Sequence, residues 1–390
     1  MKTFAEFVND TGNRKKSAEA KFEMLVCGVR NNEELFRRYS DSFKEEHYAF
    51  DNGNWGISKD IMTPTEIIFP GGIVSKLHIR PDSPLHIEEN SGTLLLCENG
   101  KELSEFRFLP RPNFWKYSTR NGIPAKRLAH IYGLNCLNFN IFSGCEFHSA
   151  GEGCLFCSVT STVDKKSPVV VRKTPEDLAD ICRLASEHDK PEYIIITGGS
   201  YFDTDKEFAS HMAVIEAVRK NLPWGGRLRG NVSMMPPKDS SRLYELYANG
   251  VDNPSFNIEV WPEEAFTKFC PGKQKHVGFG KIISSLIQLV KYYGPGCVWS
   301  NFVAGLVPAE NIKAGFQFMA ENGIVPGANI YHAEVNSVIG RSIGNIKCDY
   351  IRGVYSFAAE LYRKYNYRPY FNASVLRNSL ANEFYEGLLC

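Results

Sequence analysis

The chain has 390 residues, enough for one barrel-sized domain and a smaller unit. Its 45 basic and 44 acidic side chains leave a net charge of +1, and basic runs as short as Arg14-Lys15-Lys16 argue against a nucleic-acid substrate. Apolar runs are too short to span a bilayer, no secretory signal opens the chain, and 11 mostly isolated cysteines do not suggest a disulfide framework, so a cytoplasmic location is expected.

In chain order, residues 18–40 read as charged and partly helical. Residues 67–108 read as antiparallel β, with strands at 73–79, 93–97 and 103–108, the last two joined by the hairpin signal Glu98-Asn99-Gly100-Lys101. This first section is expected to form a packing layer, a substrate-specificity cap or a docking surface. From residue 131 strand and helix alternate. Strands are predicted at 136–142, 193–197, 227–233, 255–260, 298–304 and 329–334. Helices are predicted at 174–188, 205–220, 238–248, 281–293 and 309–321, with a last long one at 349–364. Thr174, Pro175, Glu176 and Asp177 supply a cap, a first-turn proline and early acids, and Asn249-Gly250 ends the third helix. Residues 270–273 read as a loop. Six such units with right-handed crossovers predict an α/β fold. It is a partial (β/α)6 barrel at 131–345, with a mixed, β-rich extension at 1–130 and a helical tail covering the barrel at 346–390.

Several strands carry polar residues on one face: Asn138 and Asn140; Arg227, Arg229, Asn231 and Ser233; Ser255, Asn257 and Glu259. A closed barrel core is filled by branched apolar side chains. A polar face therefore predicts a ligand-filled lumen, unless these groups pair with one another or with loops.

The residues with the most specific chemistry follow the first strand: Ser143-Gly144-Cys145-Glu146-Phe147-His148, then Cys154-Leu155-Phe156-Cys157. Three thiolates from one glycine-rich loop, spaced Cys-x8-Cys-x2-Cys, can hold three irons of a 4Fe–4S cluster and leave the fourth open. The competing reading is a Cys3His zinc site that includes His148, in a zinc-stabilised barrel acting as a binding or scaffold protein. Of the remaining cysteines, Cys136 and Cys182 read as small apolar residues, and Cys270 as the one best placed for a second chemical role.

The cysteine loop, with Phe156 immediately before Cys157, resembles the signature loop of radical S-adenosylmethionine enzymes, and the resemblance extends over residues 136–334. It implies a site-differentiated 4Fe–4S cluster held by Cys145, Cys154 and Cys157. It also implies S-adenosylmethionine as second cofactor, chelating the open iron through its methionine end, and an oxygen-sensitive enzyme. Thr197, Gly198, Gly199 and Ser200 are similar to the family's glycine-glycine motif, whose backbone contacts the methionine amine. Asn257 and Glu259 stand where the family makes a polar contact to ribose or methionine. Pro271-Gly272-Lys273 is similar to a segment of the lipoate- and biotin-synthase branch, and the run from Asn301 to Gly305 to one that packs against S-adenosylmethionine.

The eight-residue cysteine gap, Ser200 in place of an acid, Asn301 in place of a glycine and Pro308 in place of an acid depart from the common pattern. The resemblance further implies reductive cleavage to a 5′-deoxyadenosyl radical, hydrogen abstraction from a small polar metabolite, and an electron donor such as flavodoxin or ferredoxin. The substrate is expected against Arg229, Asn231, His332 and Glu334, under a mouth covered by the N-terminal section or the tail.

Overall fold

The computed structural model describes residues 2–44, 63–159, 170–333, 337–340 and 346–390. Three helices open the chain: α1 (Phe4–Val8), α2 (Arg14–Cys27) and α3 (Glu33–Arg38). α1 starts on a capping box, in which Thr3 Oγ1 accepts from the Glu6 amide and the Glu6 carboxylate accepts from the Thr3 amide. Five antiparallel strands follow: β1 (Glu66–Phe69), β2 (Ile73–Lys76), β3 (Leu85–Asn90), β4 (Thr93–Glu98) and β5 (Lys101–Phe108), in the order β2-β1-β5-β4-β3. Asn99 (φ 49) and Gly100 (φ 78) close the β4–β5 hairpin, as their sequence predicts. β1 and β3 are additional to the expected strands. β1 shows no alternation to read because all four of its residues are buried.

The second sheet begins with a short antiparallel edge strand, β6 (His130–Tyr132). Six parallel strands follow in chain order: β7 (Cys136–Asn140), β8 (Tyr193–Thr197), β9 (Leu228–Ser233), β10 (Val251–Ser255), β11 (Val298–Ala304) and β12 (Ile324–Ile330). A one-turn helix, α4 (Glu146–Ser149), sits in the loop after β7. The crossovers carry α5 (Pro175–His188), α6 (Thr204–Val218), α7 (Tyr244–Ala248), α8 (Glu263–Phe269), α9 (Pro271–His276), α10 (Phe279–Tyr293) and α11 (Ala309–Glu321). α12 (Cys348–Tyr365) and α13 (Ala381–Tyr385) end the chain. α5 begins where its sequence predicts, with Thr174 Oγ1 accepting from the Asp177 amide and Pro175 in the first turn. No helix among the described residues is long and apolar enough to cross a membrane.

Two expected strands are displaced. β10 ends at Ser255, so Asn257 and Glu259 lie beyond the strand that was to carry them. Glu259 takes a left-handed φ of 65, which stops regular pairing and leaves a single bridge to Phe302. β12 starts at Ile324, ahead of the expected 329, because Pro326 and Gly327 are accommodated on a sheet edge. The supposed loop at 270–273 is instead a junction at Cys270, after which Pro271 opens α9.

One face of the parallel sheet presents Leu137, Phe139, Ile194, Ile196 and Val232 to the main core, together with Leu178, Ile181 and Leu184 of α5. The other face is concave. Phe371 touches both Tyr193 of β8 and Trp299 of β11, and Tyr370 also packs against Trp299 at a tilt. Among the described residues β6 and β12 do not pair, so the sheet stays open. The C-terminal tail spans the gap. Its Ser374 Oγ accepts from the Leu134 amide beside β6, and its Asn378 carbonyl accepts from the Ile330 amide of β12. The tail thus fills the opening between the edges and the end of the sheet where the strands begin. On the outside of β12, Tyr355 and Tyr362 of α12 donate their hydroxyls to the Ala328 and Pro326 carbonyls, which covers that edge.

A buried ion cluster joins these parts. Glu66 of β1 is fully buried and accepts from Lys44 Nζ (2.8 Å), from the Gly133 amide (3.1 Å) and from Arg377 of the tail. Lys44 also donates to the Ile131 carbonyl of β6, and the Arg377 guanidinium lies 3.7 Å over the Tyr132 ring. Removing the one anion leaves two buried cations uncompensated, a defect worth roughly 3–5 kcal/mol. Glu66→Gln is expected to lower the stability extrapolated from urea unfolding by about that amount. A change under about 1 kcal/mol would show that the cluster is not the joint described.

Candidate active site

The cysteine loop is placed by backbone hydrogen bonds from the ends of β7 and β8. The Ile141 amide donates to the Thr197 carbonyl, the Gly199 amide to the Phe142 carbonyl, and the Glu146 amide to the Ser200 carbonyl, all at 2.8–2.9 Å. Gly199 lies so close to this loop that a Cβ there would stand 1.6 Å from the Gly144 carbonyl oxygen. From behind, the buried Lys173 donates to Ser143 Oγ (2.9 Å) and the Val170 carbonyl (3.1 Å), and burial pushes it down to about 7.

The eight-residue cysteine gap folds as α4, which starts directly after Cys145, and a reversal at Gly151 (φ 74). α8 and α9 brace its far side. The Leu155 amide donates to the Phe269 carbonyl (2.9 Å), and the Gly272 amide to the Glu152 carbonyl (2.8 Å). Glu152 is paired in turn with Lys275 and with His276 Nε2. The ring of His148 occupies the space that a side chain at residue 153 would need.

Cys145, Cys154 and Cys157 share one cleft, whose walls enclose about 820 Å³ including the part open to solvent. Phe156, Thr197, Gly198, Gly199, Ser200, Asn257 and Glu259 line it with them. The cleft lies at the C-terminal ends of the strands, where parallel α/β sheets bind ligands. Burial pushes the Cys145 thiol up and the Cys157 thiol up to about 12. Cys154 goes the other way, because the buried Cys270 thiol hydrogen-bonds to it.

On the opposite wall Lys273 Nζ donates to Glu259 Oε1 (2.7 Å) and the Asn257 carbonyl (3.1 Å). Burial alone would lower this lysine, but Glu259 and the nearby thiols outweigh it and the net direction is up. Asn257 Nδ2 reaches Ser233 Oγ (3.3 Å), its Oδ1 accepts from the Asn301 amide (3.2 Å), and Thr197 Oγ1 donates to Asn140 Oδ1.

Glu207 of α6 is a residue that sequence reasoning missed. Fully buried, it accepts from the Tyr201 amide (3.0 Å) and the Met235 amide (2.7 Å), and so ties together the segments that follow β8 and β9. Burial pushes it up to about 7. Its partners are backbone groups brought together only by folding, so no spacing signals it. Lys273 was noted only as part of a loop motif. Its place in α9 with its ammonium in the cleft was not legible.

Five expected site residues lie elsewhere. Arg229 is exposed, with its guanidinium 5.2 Å over the Tyr193 ring. It precedes the cleft residue Ser233 by four positions, about 13 Å along a strand. Asn231 is on the inner face but below the cleft, where it donates to the Asn253 carbonyl (2.8 Å) and accepts from Ser255 Oγ. His332 stacks on His78 with ring centroids 3.2 Å apart and bonds Asn378 Oδ1 (2.7 Å). Burial pushes it down to about 3, which keeps it neutral. Asn301 turns toward Gly327, whose absent Cβ would lie 2.4 Å from Asn301 Oδ1. Gly305 (φ 115) donates its amide to the Tyr350 hydroxyl of α12. Glu334 lies outside the described residues.

The donor geometry does not match a single tetrahedral ion. Among the described residues, no three of Cys145, Cys154, Cys157 and His148 bring donor atoms within 4.8 Å of one another. One tetrahedral zinc needs its donors at about 3–4 Å. Thiols on one loop, spread more widely around a common cleft, can hold separate irons of a cubane.

No protein-family model matches the chain. Over 303 residues it is 20% identical to bacteriochlorophyllide c C-7(1)-hydroxylase of Chlorobaculum limnaeum, covering 74% of this chain and 75% of the relative. Solved structures similar to this chain include methylornithine synthase, at 15% identity and a TM-score of 0.44, covering 69% of this chain and 78% of that one. Another is a radical S-adenosylmethionine methyltransferase from Kitasatospora setae with cobalamin and a 4Fe–4S cluster bound, at 16% identity and a TM-score of 0.38, covering 66% of this chain and 48% of that one.

The two glycines of the strand-two motif have separable roles. Gly199→Ala drives a Cβ into the Gly144 carbonyl, whereas Gly198→Ala meets only ordinary contacts near 3.6 Å. Gly199→Ala is expected to lose most of its iron after anaerobic reconstitution while keeping its far-ultraviolet circular dichroism, and Gly198→Ala to keep its iron. Equal iron in both variants would refute the close approach as the support of the loop.

Proposed function

We propose that this chain is a radical S-adenosylmethionine enzyme, which reductively cleaves S-adenosylmethionine and removes a hydrogen atom from a small polar metabolite held in the cleft. The observation that carries the reading is the meeting of three cysteine thiols, a glycine-glycine backbone segment and a buried Lys273–Glu259 pair around one cleft. In this reading Cys145, Cys154 and Cys157 hold the cluster, and their protons leave as iron binds. The bound cluster and S-adenosylmethionine supply the one-electron and hydrogen-atom chemistry.

Gly198 and Gly199 let the backbone approach the methionine end, while Asn257, Glu259 and Lys273 hold its charged groups. Phe156, Met234 and Met235 give an apolar wall that limits water beside a reactive centre. Thr197, Asn140 and Ser233 are the polar groups left to meet a substrate, in place of Arg229, Asn231 and His332. A flavodoxin or ferredoxin is the proposed electron donor, and an open six-strand barrel completed by the tail is the proposed architecture.

Anaerobically reconstituted protein is expected to hold about four irons per chain and, with dithionite, to convert S-adenosylmethionine to 5′-deoxyadenosine measurable by mass spectrometry. The variant with all three of Cys145, Cys154 and Cys157 changed to alanine should lose both. A full iron complement in that variant overturns the assignment. Lys273→Met should keep the iron and weaken S-adenosylmethionine binding by about tenfold or more, read by equilibrium dialysis. Unchanged affinity would remove Lys273 from the cofactor site.

A further inference from the structure

A second group of chemistry-bearing residues lies outside the cleft, on the N-terminal sheet. β3 and β4 pair so that Cys97 stands directly opposite His86, and Glu88, two residues along, shares the face of His86. Leu85 and Ile87 point the other way, into the core. One donor atom from each of His86, Glu88 and Cys97 lies within 4.8 Å of the other two. Cys97 is on the outward face of β4 yet only 2% exposed, and a bulge between Leu96 and Cys97 shifts its register against β5. Bulges re-aim side chains in this way.

The hydrogen bonds around these residues leave one position unfilled. Glu88 Oε1 takes His86 Nε2 at 2.7 Å, and the Cys97 thiol also hydrogen-bonds to Glu88. Nδ1 of His86 is buried with no hydrogen-bond partner. The His86 nitrogen that faces Glu88 and the Cys97 sulfur therefore meet on one carboxylate, and a metal among the three donors would take the place of both hydrogen bonds.

We propose that His86, Glu88 and Cys97 form a binding site for a divalent transition metal of zinc's class, with solvent completing its shell. A mixed nitrogen, sulfur and oxygen set suits zinc and excludes magnesium and calcium, which are bound by oxygen. Binding displaces the Cys97 proton and the proton shared by His86 Nε2 and Glu88 to solvent. Small rotations of three side chains bring donors 4.8 Å apart to the roughly 3–4 Å of a tetrahedral shell. This site is independent of the reading of the cleft.

The test uses the cluster-loaded protein, dialysed anaerobically against chelator-buffered zinc and then assayed for zinc and iron together. The wild type is expected to gain about one zinc per chain with its iron unchanged. X-ray absorption should show a single Zn–S distance of about 2.3 Å among nitrogen and oxygen ligands. His86→Ala and Cys97→Ser should each weaken zinc binding by about tenfold or more, with unchanged iron reporting an intact fold. His86 is partly exposed, so His86→Ala decides the matter if Cys97→Ser does not fold. Equal zinc in wild type and His86→Ala overturns the proposal. So does zinc that rises only as iron falls, because that metal would be in the cysteine loop.

Discussion

The geometry of the site depends on one steric constraint: the backbone of residue 199 must touch the carbonyl of Gly144, and only a residue without a Cβ can do so. That contact fixes the height of the cysteine loop above the sheet. Amide–carbonyl bonds from Ile141, Glu146 and Gly199 then lock the loop against the end of β8. Cys145 is placed by these bonds, and Cys154 and Cys157 by the second brace from α8 and α9. An eight-residue gap between the first two cysteines can be tolerated because its extra residues form one helical turn and a reversal, both held at their edges. The gap changes the loop's path and leaves the three thiols around one cleft.

Across the cleft, local backbone strain and a buried ion pair act together. Glu259 has a left-handed conformation that costs an ordinary residue of order 1–3 kcal/mol. It is held there by two backbone bonds to β11 and by Lys273. The conformation ends β10 early and points a carboxylate into the cleft where a continuing strand would have alternated past it. Glu207 performs a related task with both of its oxygens on backbone amides. Three charged side chains that look unrelated along the chain therefore shape the walls that face the cysteines.

The remaining structure closes an open sheet. Its edges do not pair, and the tail, the N-terminal sheet and α12 satisfy them from three sides. The Glu66 cluster gathers a strand, an edge and the tail around a single anion, so the N-terminal section is bound to the sheet through ionic groups as well as apolar packing. The tail lies between the edges and at the start of the strands. At the other end, Phe147, which lines the cleft, packs its ring with those of Phe202 and His276.

The sequence by itself determined whatever depends on local rules. Thr174 and Pro175 start a helix, Asn99-Gly100 turns a hairpin, and alternation assigns Asn140 and Ser233 to one face of their strands. The cysteine spacing and the glycine pair point to the proposed cofactor chemistry because close backbone approach and thiolate ligation each admit few residue types. Only the tertiary structure decided depth and partnership. Arg229 and Ser233 share a face, but alternation carries no information about which end of a strand meets the ligand. His332 reads as a substrate-facing residue until His78 and Asn378, from distant parts of the chain, are brought against it. Glu207 and Lys273 are invisible for the same reason: a buried charge takes its role from the groups that face it, and those are set by chain crossings rather than by neighbours in sequence.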